Sequence, residues 1–311
     1  MLIIIVAIAA FFFYAKGDLY ASLDSSNNET TVITVKPGES AQEIGEDLMS
    51  QRIIKSGVVF QAYAKYRHLT FVPGMYKFSP SMSAIEIAGK LVDGDIAYNK
   101  VLFQEGLRRE QMAQVLYKNG YTDYNSFMTK TADIEGKLFP DTYYFPLDAS
   151  TDYIIDKIKK NYEKKVAGLN LTQNDLILAS IVEREAGNDT DRPIIAGIFQ
   201  NRLDAGMMLQ SDPTSLYQKD TNNYSLSSMM DYKFWHDLLP SEIKGSKGPF
   251  NTYLNVGLPK GPIANPGLAS IRAAMNPTKD NYYYFIYGTD GNFYPAKNVA
   301  EHNSNIAKYL Q

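Results

Sequence analysis

Two carboxylates, Glu183 and Glu185, close a segment (residues 172–187) that reads Thr-Gln-Asn-Asp-Leu-Ile-Leu-Ala-Ser-Ile-Val-Glu-Arg-Glu-Ala-Gly. Thr172 followed by Asp175 has the spacing of a capping box, and Gly187 supplies a helix stop. Residues 176–182 are apolar or small on every side, the pattern of a helix buried all round. Three and four positions from Glu183 stand Ala179, Ser180, Ala186 and Gly187, so its face carries no bulk and is expected to floor a groove. Glu185 is flanked by Ile181 and Val182, which leaves no groove around it. A carboxyl held against apolar walls keeps its proton to higher pH, as a general acid at neutral pH requires. Glu183 is therefore the candidate catalytic group. The plainer reading of the same residue is a solvated helix end, or an ion pair with Arg184 or Arg202.

The frame around this helix is that of an ordinary globular chain. It has 311 residues, of which 45% are apolar and 21% charged, enough for two domains after a short anchor. A net charge of -3 without a dense basic run argues against nucleic acid as a partner. Cysteine is absent, and the three histidines (His68, His236, His302) lack ligand spacing, so neither a metal nor a cofactor is expected. Tyrosine is abundant, at 23 residues, which suits sugar platforms but is more commonly a matter of packing.

In chain order, residues 1–15 are apolar and uncharged up to Lys16. The expectation is a single-pass membrane anchor over 1–17 whose start is truncated, since the run is shorter than the ~20 residues of a spanning helix and lacks preceding basic residues. A polar linker, 18–31, follows. Residues 32–97 then form a small module: a strand at 32–35, a Pro37-Gly38 turn, a helix capped by Ser40 and Glu43, strand character at 71–78, and a second helix capped by Ser83 and Glu86. Its Pro-Gly-Glu-Ser opening resembles LysM-like modules, which implies glycan ligands. Residues 98–311 read as a mainly helical domain with a small sheet, and the fold class is α+β. Within it, residues 134–146 read as a rigid aromatic loop, and residues 210–214, closed by Asp212-Pro213, as a turn. The proline- and glycine-rich stretch 257–267 reads as a rigid loop before a short helix.

Several ordered motifs carry a resemblance. Glu-Gly-x-Leu-Phe-Pro-Asp-Thr-Tyr at 135–143, Ala-Ser-Ile-Val-Glu-Arg-Glu at 179–185, Phe-x-Asn-Arg-Leu at 199–203 and Met-x-Leu-Gln-Ser-Asp-Pro-Thr at 207–214 are similar to the YceG-like family. So are Asn251-Thr252-Tyr253, Gly257-Leu258-Pro259, Gly261-Pro262-Ile263, Asn265-Pro266-Gly267, Phe293 and His302-Asn303. The resemblance implies a membrane-bound endolytic murein transglycosylase, cutting the β-1,4 bond between N-acetylmuramic acid and N-acetylglucosamine without water and leaving a 1,6-anhydro end. It further implies a role in ending glycan elongation. Glu183 would be the catalytic glutamate, and Gln210, Ser211, Asp212, Asn251 and Tyr253 would hold the sugars. The partners implied are peptidoglycan glycan strands, the membrane through the anchor, and peptidoglycan synthases, with the catalytic domain outside the plasma membrane.

Two other classes fit parts of the pattern. A muramidase would use water, with Asp212 or Glu185 as its second carboxylate. A noncatalytic glycan-binding scaffold would need only the LysM-like module.

Overall fold

The computed structural model describes residues 16–225, 228–236 and 239–311. Residues 1–15, on which the expected anchor falls, lie outside them. Among the described residues no helix is long and apolar enough to cross a membrane. The chain divides into two compact units: Met1–Lys100 with Tyr144–Ala149, and Val101–Tyr143 with Ser150–Gln311.

In the first unit, strand β1 (Thr31–Val35), helices α1 (Ala41–Ser50) and α2 (Gly57–Tyr66), strand β2 (Gly74–Phe78) and helix α3 (Ala84–Asp93) follow in order. The strands pair antiparallel, Thr31 opposite Phe78 and Val35 opposite Gly74. Alternation sends Ile33, Val35, Tyr76 and Phe78 inward, onto Ile44, Leu48, Phe60, Ile87 and Leu91. Ser40 with Glu43 and Ser83 with Glu86 make the two expected capping boxes. The sequence reading did not mark α2. It packs on α1 through facing glycines, because a Cβ on Gly45 would stand 2.7 Å from the Gly57 carbonyl oxygen. Only glycine lets the two backbones approach so closely.

Strand β3 (Tyr98–Leu102) is followed by helices α4 (Arg109–Lys118) and α5 (Tyr124–Lys130) and strand β4 (Thr142–Pro146). The rigid loop expected over 134–146 therefore ends in extended strand. Its glycine is required: Gly136 has φ +86°, and a Cβ there would meet Pro262 Cγ at 2.7 Å.

The second unit continues with α6 (Thr151–Lys165), α7 (Gln173–Glu185), α8 (Arg192–Asp204), α9 (Asp212–Asn223), α10 (Pro240–Ile243) and α11 (Leu268–Met275). The antiparallel pair β5 (Tyr284–Tyr287) and β6 (Phe293–Ala296) and helix α12 (Val299–Tyr309) complete it. The fold is α+β and mainly helical. Helix α7 is its axis: Leu176, Ile177, Leu178, Ala179, Ser180, Ile181 and Val182 are all buried, between α8 and α11. The Thr172 and Asp175 capping box forms. Ser180 is the polar residue of this buried run. Its hydroxyl donates to Ile177 O at 2.7 Å and accepts the Ile263 N–H at 3.0 Å, which ties the 257–267 loop to the helix. The residues expected as an Asp-Pro turn instead open a helix, with Ser211 at the N-cap of α9 and Pro213 in its first turn. Proline is well placed there because the first helical N–H groups lack partners anyway.

Candidate active site

Glu185, the last residue of α7, enters a cavity of about 500 Å³. Helix α8 lends Phe199 and Arg202 to its wall, the start of α9 lends Asp212, and Gln210 and Tyr253 come from loops. Strand β5 contributes Tyr284, Phe285 and Ile286, and α12 contributes His302. The Ser211 hydroxyl donates to Glu185 Oε1 at 2.6 Å. Ser211 is itself fixed, since its N–H donates to Thr252 Oγ1 at 3.0 Å. Gln210, held at φ +49°, makes the bend that presents this serine. The Tyr253 hydroxyl donates to Asp212 Oδ1 at 2.6 Å.

Burial pushes the Glu185 carboxyl up to about 7; the Ser211 hydrogen bond opposes this, the nearby Asp212 charge adds to it, and Arg202 and Arg184 oppose it. A carboxyl poised there is half protonated at neutral pH, so it can both give and take a proton. The folded state holds this proton more tightly than the unfolded chain, where a glutamate titrates near ~4.3. Below that pH the group is protonated in both states and costs nothing. Stability falls as pH rises from about 4.3 to about 7, and the loss is complete above. Replacing Glu185 by Gln is expected to raise the melting temperature by a few degrees at pH 8 and to leave it unchanged at pH 4. Equal shifts at both pH values would show that the carboxyl is not held against its charge.

The structure brings Gln210, Ser211, Asp212 and Tyr253 together around Glu185, and places the other two expected site residues elsewhere. Glu183 faces away. Its Oε1 lies 3.2 Å from Arg192 Nη2, its Oε2 accepts the Gly267 N–H at 2.9 Å, and its side chain is only 6% exposed. Of the small neighbours that suggested a groove, Ala179 and Ser180 are buried, Ser180 against the Ile263 N–H, and Gly187 lies beside the Tyr287 ring. The ion-pair partner is Arg192 rather than Arg184 or Arg202. Asn251 is fully buried and engaged on both ends of its amide: Nδ2 donates to Ile243 O and Ser246 O, and Oδ1 accepts from Ser215 Oγ and the Tyr253 N–H. No group of it is left for a sugar, so it shapes the loop that carries Tyr253.

Arg202, Tyr284 and His302 line the wall and were not singled out from the sequence as site residues. Arg202 is clamped by Nε donating to Tyr283 O at 2.6 Å, and its guanidinium lies over the Tyr284 ring at 5.1 Å. The His302 ring packs on Tyr284 at 5.3 Å. Burial, then Arg202, lowers the His302 pKa, so it is neutral at pH 7. The signals available were the Phe-x-Asn-Arg-Leu and His-Asn motifs, which composition alone could not attach to a site.

The YceG-like family's model matches residues 33–308. A Bacillus subtilis (strain 168) protein named endolytic murein transglycosylase is 32% identical over 337 residues, covering 96% of this chain and 90% of that protein. A Streptococcus pneumoniae (strain D39) protein of the same name is 29% identical over 343 residues, covering 94% of this chain. The chain spans 61% of the length of that pneumococcal relative. A crystal structure of a yceG-like protein from Listeria monocytogenes superposes with a TM-score of 0.56 at 28% identity, covering 89% of this chain and 99% of that one. With the match running through both units and every motif of the cleft, the chain belongs to the YceG-like family.

Proposed function

We propose that this protein is an endolytic peptidoglycan lytic transglycosylase, with Glu185 as its general acid and base. The observation that carries the reading is a single carboxyl, held near pH 7 by burial, at the end of a rigid buried helix and inside a polar and aromatic cleft. The name borne by the Bacillus and Streptococcus relatives supports the same reaction class.

The chemistry follows from one proton moving twice. Protonated Glu185 gives its proton to the oxygen of the β-1,4 bond as the muramic acid C1–O bond breaks, and positive charge develops at C1. The C6 hydroxyl of the same sugar attacks C1, and the Glu185 carboxylate takes its proton. The products are an N-acetylglucosamine hydroxyl end and a 1,6-anhydro end. Ser211 orients the carboxyl, the Asp212 carboxylate paired with Tyr253 faces the developing positive charge, and neutral His302 and clamped Arg202 offer donors to sugar hydroxyls and carbonyls.

Mass spectrometry of murein digested by the purified protein tests this: 1,6-anhydro ends are expected. Reducing ends would make it a muramidase with Asp212 guiding water, and no released fragments would leave a binding scaffold.

In this reading the second unit works outside the plasma membrane. Residues 1–17 are its anchor, supported by their apolar run, and the first unit is a LysM-like module that holds glycan without cutting it, supported by its strand, Pro-Gly turn and capped helices. Synthases of the cell wall are its partners.

A further inference from the structure

Helix α9 borders two cavities. Asp212 at its start lines the Glu185 cleft, while Tyr217, Thr221 and then Tyr224 line another, of about 380 Å³. At 1.5 Å rise per residue, Tyr217 lies roughly 7 Å and Thr221 roughly 13 Å along the axis from Asp212. The loop that carries Tyr253 into the first cavity also puts Phe250 into the second. A branched ligand seated at Glu185 therefore has a second polar cavity within reach along one rigid helix.

That second cavity carries Arg109, Lys137 and Lys260 beside three acidic residues, Glu110, Asp133 and Glu135. Glu135 is fixed in it: its Oε1 accepts the Arg109 N–H at 3.0 Å and Asn265 Nδ2 at 2.7 Å, while Oε2 has only a 3.3 Å contact from the Arg109 N–H. Asn265 is 1% exposed and also accepts the Gly136 and Leu138 N–H groups, so the 135–138 turn cannot drift. Burial, and then Glu110, push the Glu135 carboxyl well above the usual carboxylate range, so at neutral pH it presents an O–H. The Glu110 charge is met by Arg108 at 2.7 Å. Lys137 and Lys260 line the opening, and neither is in an ion pair among the described residues. One exposed acid, Asp133, shares the opening with them. Lys137 and Gln173 also line an adjoining cavity of about 470 Å³, which gives room for a chain rather than a lone ion.

We propose that this cavity is a second ligand site that takes the acidic peptide stem of the strand cut at Glu185, a stem carboxylate lying between Lys137 and Lys260 and a stem carbonyl meeting Glu135. The proposal rests on the transglycosylase reading and deepens it: the enzyme would read the stem as well as the sugar.

The test compares soluble glycan strands bearing peptide stems with the same strands stripped of them by an amidase, using the full chain and its Lys137→Ala/Lys260→Ala variant. On stem-bearing strands the variant is expected to show a KM about tenfold higher with kcat unchanged, and on stripped strands no change. Equal KM values on stem-bearing strands, or an equal loss on stripped ones, would overturn the site. Calorimetric titration of a free acidic stem peptide into both proteins decides independently of cleavage. Binding about tenfold weaker in the variant supports the site, and binding unchanged or absent in both sinks it. If the wild-type chain cuts neither substrate, the transglycosylase reading fails while that titration still stands.

Discussion

Replacing Glu185 by Gln is expected to lower the rate of glycan cleavage toward the upper end of the ~10²- to 10⁴-fold range of general acid–base groups, without loss of fold. The amide keeps the size of the carboxyl and can still accept from Ser211 Oγ, but it carries no proton that can leave and return. Both proton transfers of the proposed reaction pass through this one group, so nothing compensates for its loss. Glu183→Gln is the contrasting variant. It weakens the contact with Arg192, which keeps Ser270 Oγ at 2.8 Å and Asp189 as partners. The expected result is a stability loss of about 1–3 kcal/mol, with cleavage retained at temperatures well below melting. Rates of anhydro-muropeptide release and melting curves for both variants separate the roles. A dead Glu183→Gln beside an active Glu185→Gln would return the chemistry to the face of α7 that the sequence pointed to.

Arg108→Met is the largest stability change expected in the chain. Arg108 and Asp220 are 0% exposed and Glu110 is 1% exposed. The guanidinium donates from Nε to Glu110 Oε2 at 2.7 Å and from Nη2 to Thr221 Oγ1 at 2.9 Å, and lies 4.1 Å over the Tyr217 ring and 4.7 Å over the Phe234 ring. Methionine restores much of the apolar volume but takes the buried cation from two carboxylates: Glu110 keeps only Arg109 Nε, at 3.4 Å, as an ion-pair partner, and Asp220 keeps the Tyr232 hydroxyl and the Trp235 N–H, both at 3.0 Å. Breaking such a group by removing one member costs about 3–5 kcal/mol, or roughly 10 °C in melting temperature for a unit of this size. Scanning calorimetry checks it. Arg108→Met/Glu110→Gln/Asp220→Asn is expected to regain much of the loss, because it removes the buried negative charges together with the cation. A single variant that melts like the wild type would mean that the carboxylates are neutral without their arginine.

Elements marked at both ends were legible from the sequence. Thr172 with Asp175, Ser40 with Glu43 and Ser83 with Glu86 each fixed a helix start, because a capping box is written within four residues. The surroundings of the expected site residues were decided by residues far away in the chain. Glu183 has small helical neighbours, yet Arg192 and Gly267 fill the space beside them, and neither is visible in a 3.6-residue pattern. Asn251 looked like a sugar ligand by type, but Ile243, Ser246 and Ser215 consume its amide. Helix α2 begins at Gly57 with Val58-Val59-Phe60, a run that favours strand by propensity. Its packing against Gly45 of α1 overrides that preference. The same family motifs that named the cleft region did not say which of two glutamates, two residues apart, entered it; the fold did.

That two-residue separation sets how the chain tolerates insertions. At 100° per residue, Glu183 and Glu185 point about 200° apart around α7, one to the clamp and one to the cleft. A residue added inside α7 would turn its C-terminal end by about 100° and bring neither carboxyl to its place, while Ser180, which holds Ile263, would lose its phase as well. Between the Thr172 cap and Glu185 the count of residues is thus fixed by angle rather than by length. Outside the cap, residues 167–171 carry no such phase, and a lengthened turn there would leave the direction of the proton donor unchanged.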